Sequence, residues 1–197
     1  MNIAQVNELI LQSLEHEKGG VNVYAAAISC ALNAELKEEW QRYLTQTKKH
    51  VVVLERVAKA FGLDANKETP GRVVVRHNGV ALVEAMKLAK KSGTPEAAEL
   101  VACECVVLAE TKDHLDWELL GKCAEHLETD KAAILEAAYD EIEDEEDEHL
   151  YHTKGWCREL WLESLGIPAV LPPPEEQKKV RTAIGAARAE ASAERAR

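Results

Sequence analysis

Aromatic residues are scarce in this chain of 197, making up 5% of it, and phenylalanine occurs once. A core so poor in aromatics must be filled by Leu, Val, Ile and Ala, a palette that suits packed helices better than a β-sandwich. Long apolar runs are missing too. No stretch of about 18 apolar residues occurs, so no membrane span is expected. The opening Met1 to Ile10 lacks the basic and apolar regions of a secretion signal. The cysteines, 5 in number and irregularly spaced, do not form a disulfide framework. No glycine-rich phosphate loop occurs, and no cysteine or histidine has the partner pattern of a nucleophilic hydrolase. Positive charge is in short supply. Basic residues number 24 against 35 acidic ones, a formal net charge of −11. That balance repels a phosphate backbone and argues against nucleic acid as a partner. The expectation is an all-α, soluble, cytoplasmic protein whose acidity needs a reason.

What is present is helical periodicity. One segment runs from about Ile3 to Asn33, opened by Asn2 with Gln5 three residues on, the pattern of a capping box. It contains Gly19 and Gly20, costly in a helix interior, so either the backbone bends there or something packs closely. A second runs from about Glu35 to Phe61 and stops at Gly62. A third opens at Thr94-Pro95-Glu96 and reaches about Leu127; a fourth runs from about Thr129 to Leu165. Short connections within each pair imply antiparallel neighbours. Between the pairs lies a long crossover from Leu63 to Gly93, with Arg72 to Arg76 expected to be extended and a short helix from Val80 to Lys91. Two antiparallel pairs joined by one long crossover is the ferritin-like variant of the four-helix bundle. Residues 1–171 form this bundle, and residues 172–197 a proline-led Ala/Glu/Arg tail, weakly helical or disordered, with docking on a partner subunit as the other reading.

The inward stripe of each helix is apolar except near its middle. The interruptions are Glu17; Thr47 and His50; Glu110 and His114; and Glu146 and His149. In an antiparallel pair, residues equidistant from the turn lie side by side. Glu17 and His50 are centred on the first turn, and Glu110 with Glu146 or His149 on the second, so all the patches meet at one level. Buried carboxylates with no cation among them are destabilised or forced to protonate. A divalent metal removes that penalty, and carboxylates with neutral imidazoles suit Fe, Mn or Zn rather than Mg or Ca. Glu146-x-x-His149 places both side chains on one helix face, the ligand unit of carboxylate-bridged dimetal bundles.

On these residues the chain resembles the ferritin-like superfamily over about residues 3 to 165. Glu17-x6-Tyr24 resembles the first-ligand helix of bacterioferritin-type proteins, and Glu110-x6-Trp117 repeats its spacing. Within the superfamily the chain is most similar to YciF-type stress proteins, through Glu35 to Trp40, His50, Leu54-Glu55-Arg56, and Ala124 to Leu127 followed by Lys131-Ala132-Ala133. The resemblance implies Glu17, Glu110 and Glu146 as carboxylate ligands and His50 and His149 as nitrogen ligands. Asp113 and His114 are further candidates. It also implies Fe or Mn as cofactor in a dinuclear or asymmetric site, and peroxide, dioxygen or iron as substrate in oxidative-stress protection. A ferroxidase-type site has Glu where this chain has Thr47. The remaining set resembles the ligand inventory of manganese catalases, and the site is expected to be firmest around Glu110, Glu146 and His149.

Each residue has a plainer reading. Eight of the nine positions from Asp140 to Glu148 are acidic, so Glu146 could belong to a solvated face. Glu17 could be salt-bridged, and His50 could be a satisfied core histidine. His152 is expected at the surface, Cys103 and Cys105 in the core, and Tyr24 and Trp117 as packing residues. On that view the protein is a non-enzymatic bundle with a degenerate site. A homodimer is expected, with Trp40, Trp156 and Trp161 as contact candidates; a spherical storage cage is not.

Overall fold

The computed structural model describes residues 1–197, all of whose regular structure is helical. In chain order the helices are α1 (Ile3–Cys30), α2 (Ala34–Phe61), α3 (Pro70–Ser92), α4 (Pro95–His126), α5 (Lys131–Ser164), α6 (Pro174–Gln177) and α7 (Ala183–Ala196). The ends follow local chemistry. The side chains of Asn2, Asn33, Thr69 and Thr94 accept hydrogen bonds from backbone amides of the first turns that follow them. Gly62 closes α2 in the left-handed region, at φ 74°. Helices α1, α2, α4 and α5 form the core. Buried apolar residues gather in two clusters, one around Trp40, Tyr43 and Val106, the other around Ile10, Leu54 and Ile142. The polar level predicted above lies between them.

The crossover is where the structure departs most from expectation. Arg72 to Arg76 is not extended; it belongs to α3, which is one helix of 23 residues laid against α1 and α4. Three consecutive valines favour a strand in isolation, but tertiary contacts decide here. Val75 and Met86 are buried, and so is Arg72. Arg72 Nε donates to Glu15 at 2.9 Å, and Nη1 donates to the carbonyls of Ala65 and Lys67 at 2.8 Å each. The glycine pair is explained by close packing: a Cβ at Gly79 would lie 3.5 Å from the Cα of Gly19, and one at Gly20 would lie 3.3 Å from Cγ2 of Thr47. Arg72→Met should therefore lower unfolding stability by about 3 kcal/mol in urea titration, because two carbonyls lose their donor and the buried Glu15 carboxylate is left with Arg76 alone.

The tail is ordered against α5. The buried Glu175 carboxylate takes two hydrogen bonds from Arg158, at 2.6 and 2.9 Å. It sits on Gly155, where a Cβ would come within 2.8 Å of it. At the far end Arg197 donates to buried Glu159 and to the carbonyl of Pro168. Gly155→Leu should push the segment off α5, which limited trypsin digestion would show as faster cutting at Lys178 and Lys179 while the bundle stays intact.

Two tryptophans offered as dimer contacts, Trp40 and Trp156, are fully buried; Trp161 is partly exposed and donates to Glu104. All five cysteines are free, with Cys103 and Cys105 in the core as expected. No helix is long and apolar enough to cross a membrane.

Candidate metal centre

Each of the four core helices brings a polar side chain to the same buried level. Glu17 comes from α1, His50 from α2, Glu110 from α4, and Glu146 and His149 from α5; none is more than 3% exposed. Glu146 and His149 share a face because they stand three apart on a helix. His50 Nδ1 lies 2.8 Å from Glu146 and 3.3 Å from Glu17. His149 Nδ1 lies 3.5 Å from both Glu110 and Glu146. Two groups result, Glu17–His50–Glu146 and Glu110–Glu146–His149, and in each the donor atoms lie within 4.8 Å of one another. Glu146 is common to both.

The far sides of the rings orient them. His50 Nε2 lies 2.8 Å from Glu145, a carboxylate that can only accept while ionised, so Nε2 carries the proton. Glu145 is itself held by Lys49 at 3.3 Å, and its pKa is brought down to about 2 by the His50 hydrogen bond. His149 Nε2 meets Gln46 Oε1 at 3.1 Å. With both Nε2 atoms engaged outward, both Nδ1 atoms face the carboxylates. That is how metal-binding imidazoles are held by an outer partner.

Inside the cluster, hydrogen-bond donors run out. Trp117 Nε1 serves Glu17 Oε1 at 2.9 Å. No hydrogen bond is made by the other Glu17 oxygen, by Glu110 Oε2, by either oxygen of Glu146, or by the two imidazole Nδ1 atoms. Unpartnered buried polar atoms are rare in folded proteins because each costs its full desolvation. Here they point at one another. Their spacing also suits a cation, since two ligands ~2.1 Å from one ion and about 90° apart lie ~3.0 Å from each other.

The electrostatics agree. Burial raises the Glu110 carboxyl to about 8, with Glu17 adding to it. Burial likewise raises Glu146 to about 7 against the pull of His50. Burial lowers His149 to about 4, leaving a neutral imidazole at neutral pH. Burial also opposes charge on His50, but Glu17, Glu145 and Glu146 outweigh it and lift its pKa well above the usual imidazole range. Without a metal, protons are the cations the cluster takes up.

Asp113 and His114 part company. Asp113 is buried with an unpartnered oxygen, and its carboxyl is raised well above its ordinary value by burial, Glu17, Glu146 and Glu110. It adds a fourth carboxyl to the cluster although it joins neither group. His114 instead pairs with Asp147 at 3.0 Å and packs edge-on to Tyr151. Thr47 is buried, its hydroxyl donating to the carbonyl of Tyr43 at 2.9 Å and its methyl against Gly20, so it offers the centre no ligand.

His152 is not at the surface. It is buried between Glu39 at 3.0 Å and the carbonyl of Val180 at 3.1 Å. Glu39 also accepts from Trp156 at 2.7 Å and from the Tyr43 hydroxyl. The Tyr43 ring lies 4.1 Å from that of His149, so this network braces a face of the centre. Gln46, Glu145 and Glu39 escape a search for polar residues on the inward stripe. Gln46 and Glu145 each sit one position beside a stripe residue and act from the side. Much of the acidic run is ion-paired, Glu141 with Arg56 and Asp144 with Arg181 at the exposed surface, and buried Glu148 with Arg42.

Comparison with protein-family models, curated proteins and solved structures gives no match, so the chemistry must be read from these residues themselves.

Proposed function

We propose that the chain is a ferritin-like metal protein of the YciF kind, holding two Fe or Mn ions and acting on peroxide, dioxygen or iron in oxidative-stress protection. The observation that carries this reading is the inward orphaning of both imidazole Nδ1 atoms and the Glu17, Glu110 and Glu146 oxygens, in two groups that share Glu146. Glu17 and His50 would hold one ion, Glu110 and His149 the other, with Glu146 between them. Bound there, such ions supply a one-unit oxidation change each. The protein's part is charge and position. Glu17, Glu110, Glu146 and Asp113 together match the +4 of two divalent ions. Gln46 and Glu145 fix the ring orientations, and Trp117 fixes one oxygen of Glu17.

The test is metal analysis by mass spectrometry on protein grown with iron and manganese, followed by peroxide consumption and ferrous-ion oxidation. Two ions per chain, with turnover lost in Glu110→Ala, supports the reading; no retained metal sinks it. A second reading, a non-enzymatic bundle with a degenerate site, draws on Thr47, which leaves α2 with His50 alone as a ligand. It requires a metal-free protein that is fully stable and unresponsive to Fe or Mn.

A further inference from the structure

A cleft of about 180 Å³ runs between α4 and α5 and reaches Glu146 of the candidate centre. The buried side chains lining it are Trp117, which donates to Glu17, and Glu146, which is 1% exposed with both oxygens unpartnered. Glu118, Glu143, Asp144 and Asp147 also line it, the last paired with His114 at 3.0 Å. The rim is completed by the C-terminal segment through Arg181 and Thr182. We propose that this cleft is the route by which divalent cations reach the centre, and that Arg181 is a charge gate across its mouth. The proposal rests on the two-ion reading above and specifies how that site is filled.

Carboxylates lining a cleft with low-dielectric walls raise the local concentration of cations and speed their entry. Here they lead to a buried carboxylate whose oxygens make no hydrogen bond. A larger groove of about 360 Å³ between α1, α3 and α4 has no carboxylate in its lining and carries Lys112, so it offers a cation no path. Arg181 stands against the entry. Its guanidinium bonds Asp144 at 2.9 Å and lies 3.9 Å from Glu148, occupying the negative charge an arriving ion would meet first. The Arg181–Asp144 pair is at least half exposed on both sides, so water competes for it and it opens easily. The segment carrying it is held on both flanks by firmer contacts, Glu175 on Arg158 and Arg197 on Glu159. The side chain can therefore swing aside while the backbone stays docked.

The test is stopped-flow binding of Co²⁺ alone to the full-length, metal-free protein, across a range of ionic strength. Arg181→Ala should raise the association rate about fivefold and Arg181→Lys should restore it, separating charge from loosening of the segment. The double variant Glu118→Gln, Glu143→Gln should lower the rate about fivefold and flatten its salt dependence. The final stoichiometry should be unchanged in all three. Association rates that match wild type in every variant, with wild type filling both sites, overturn the route and leave the centre standing. Wild type that takes up no Co²⁺ removes the centre and the route together.

Discussion

Glu146→Ala is expected to abolish tight binding of both metal ions, while Glu17→Ala and Glu110→Ala should each leave one. The difference follows from sharing. Glu17 and Glu110 belong to one group each, whereas Glu146 supplies an oxygen to both. The same substitution should leave the metal-free protein at least as stable as wild type, because it removes one of several carboxyls crowded at a buried level while His50 keeps Glu17 at 3.3 Å and Glu145 at 2.8 Å. A structural ion pair predicts the reverse. If Glu146 served only to neutralise His50, which it approaches at 2.8 Å, its removal would destabilise the fold by about 3–5 kcal/mol. Metal content after dialysis against Mn²⁺, read beside the urea midpoint of the metal-free variant, separates the two accounts.

The second large effect is on pH dependence. Glu146 and Glu110 ionise at about 7 and 8 in the fold, against an ordinary 4.5. A raised pKa means that the native state keeps protons the unfolded chain gives up. Their contribution is therefore present below pH 4.5 and is lost as the pH climbs through 7 and 8. His50, raised well above 6.5, likewise loses its contribution as the pH climbs beyond 6.5. His149, lowered from 6.5 to about 4, acts oppositely: its contribution is present above 6.5 and lost on acidification towards 4. The metal-free protein should thus lose stability between pH 6 and pH 8. Metal should reverse the trend, since its binding displaces fewer protons at pH 8 than at pH 6. At a hundredfold excess over Kd each ion adds ~2.7 kcal/mol, a rise in Tm of about 5–10 °C for a chain of this size. Thermal melts at pH 6 and 8, with and without Mn²⁺, check this. A metal-free Tm that increases from pH 6 to 8 would contradict it.

Much of this centre was legible in the chain because helices report themselves. The cap at Asn2, the Thr94-Pro95 start and the stop at Gly62 mark ends, and the distance of Glu17 and His50 from their common turn gives their height. What escaped lacks a period. The α3 helix is hidden by Val73 to Val75, and its reason for being helical is a pairing between Arg72 and Glu15 across 57 positions. The outward partners Gln46 and Glu145 act from positions that a stripe analysis discards. The tail is held by Glu175 in the space left by Gly155, a complementarity of shape and charge that no local pattern encodes. His152 was misplaced for the same reason, because one of its partners, the Val180 carbonyl, arrives with that tail.

The most direct test of the central claim is anomalous diffraction from crystals soaked in Co²⁺ or Mn²⁺. Two peaks should appear, one among Glu17, His50 and Glu146 and the other among Glu110, Glu146 and His149, separated by about 3.5–4 Å. Density at neither position, with the metal found only on the exposed acidic surface, would contradict the account.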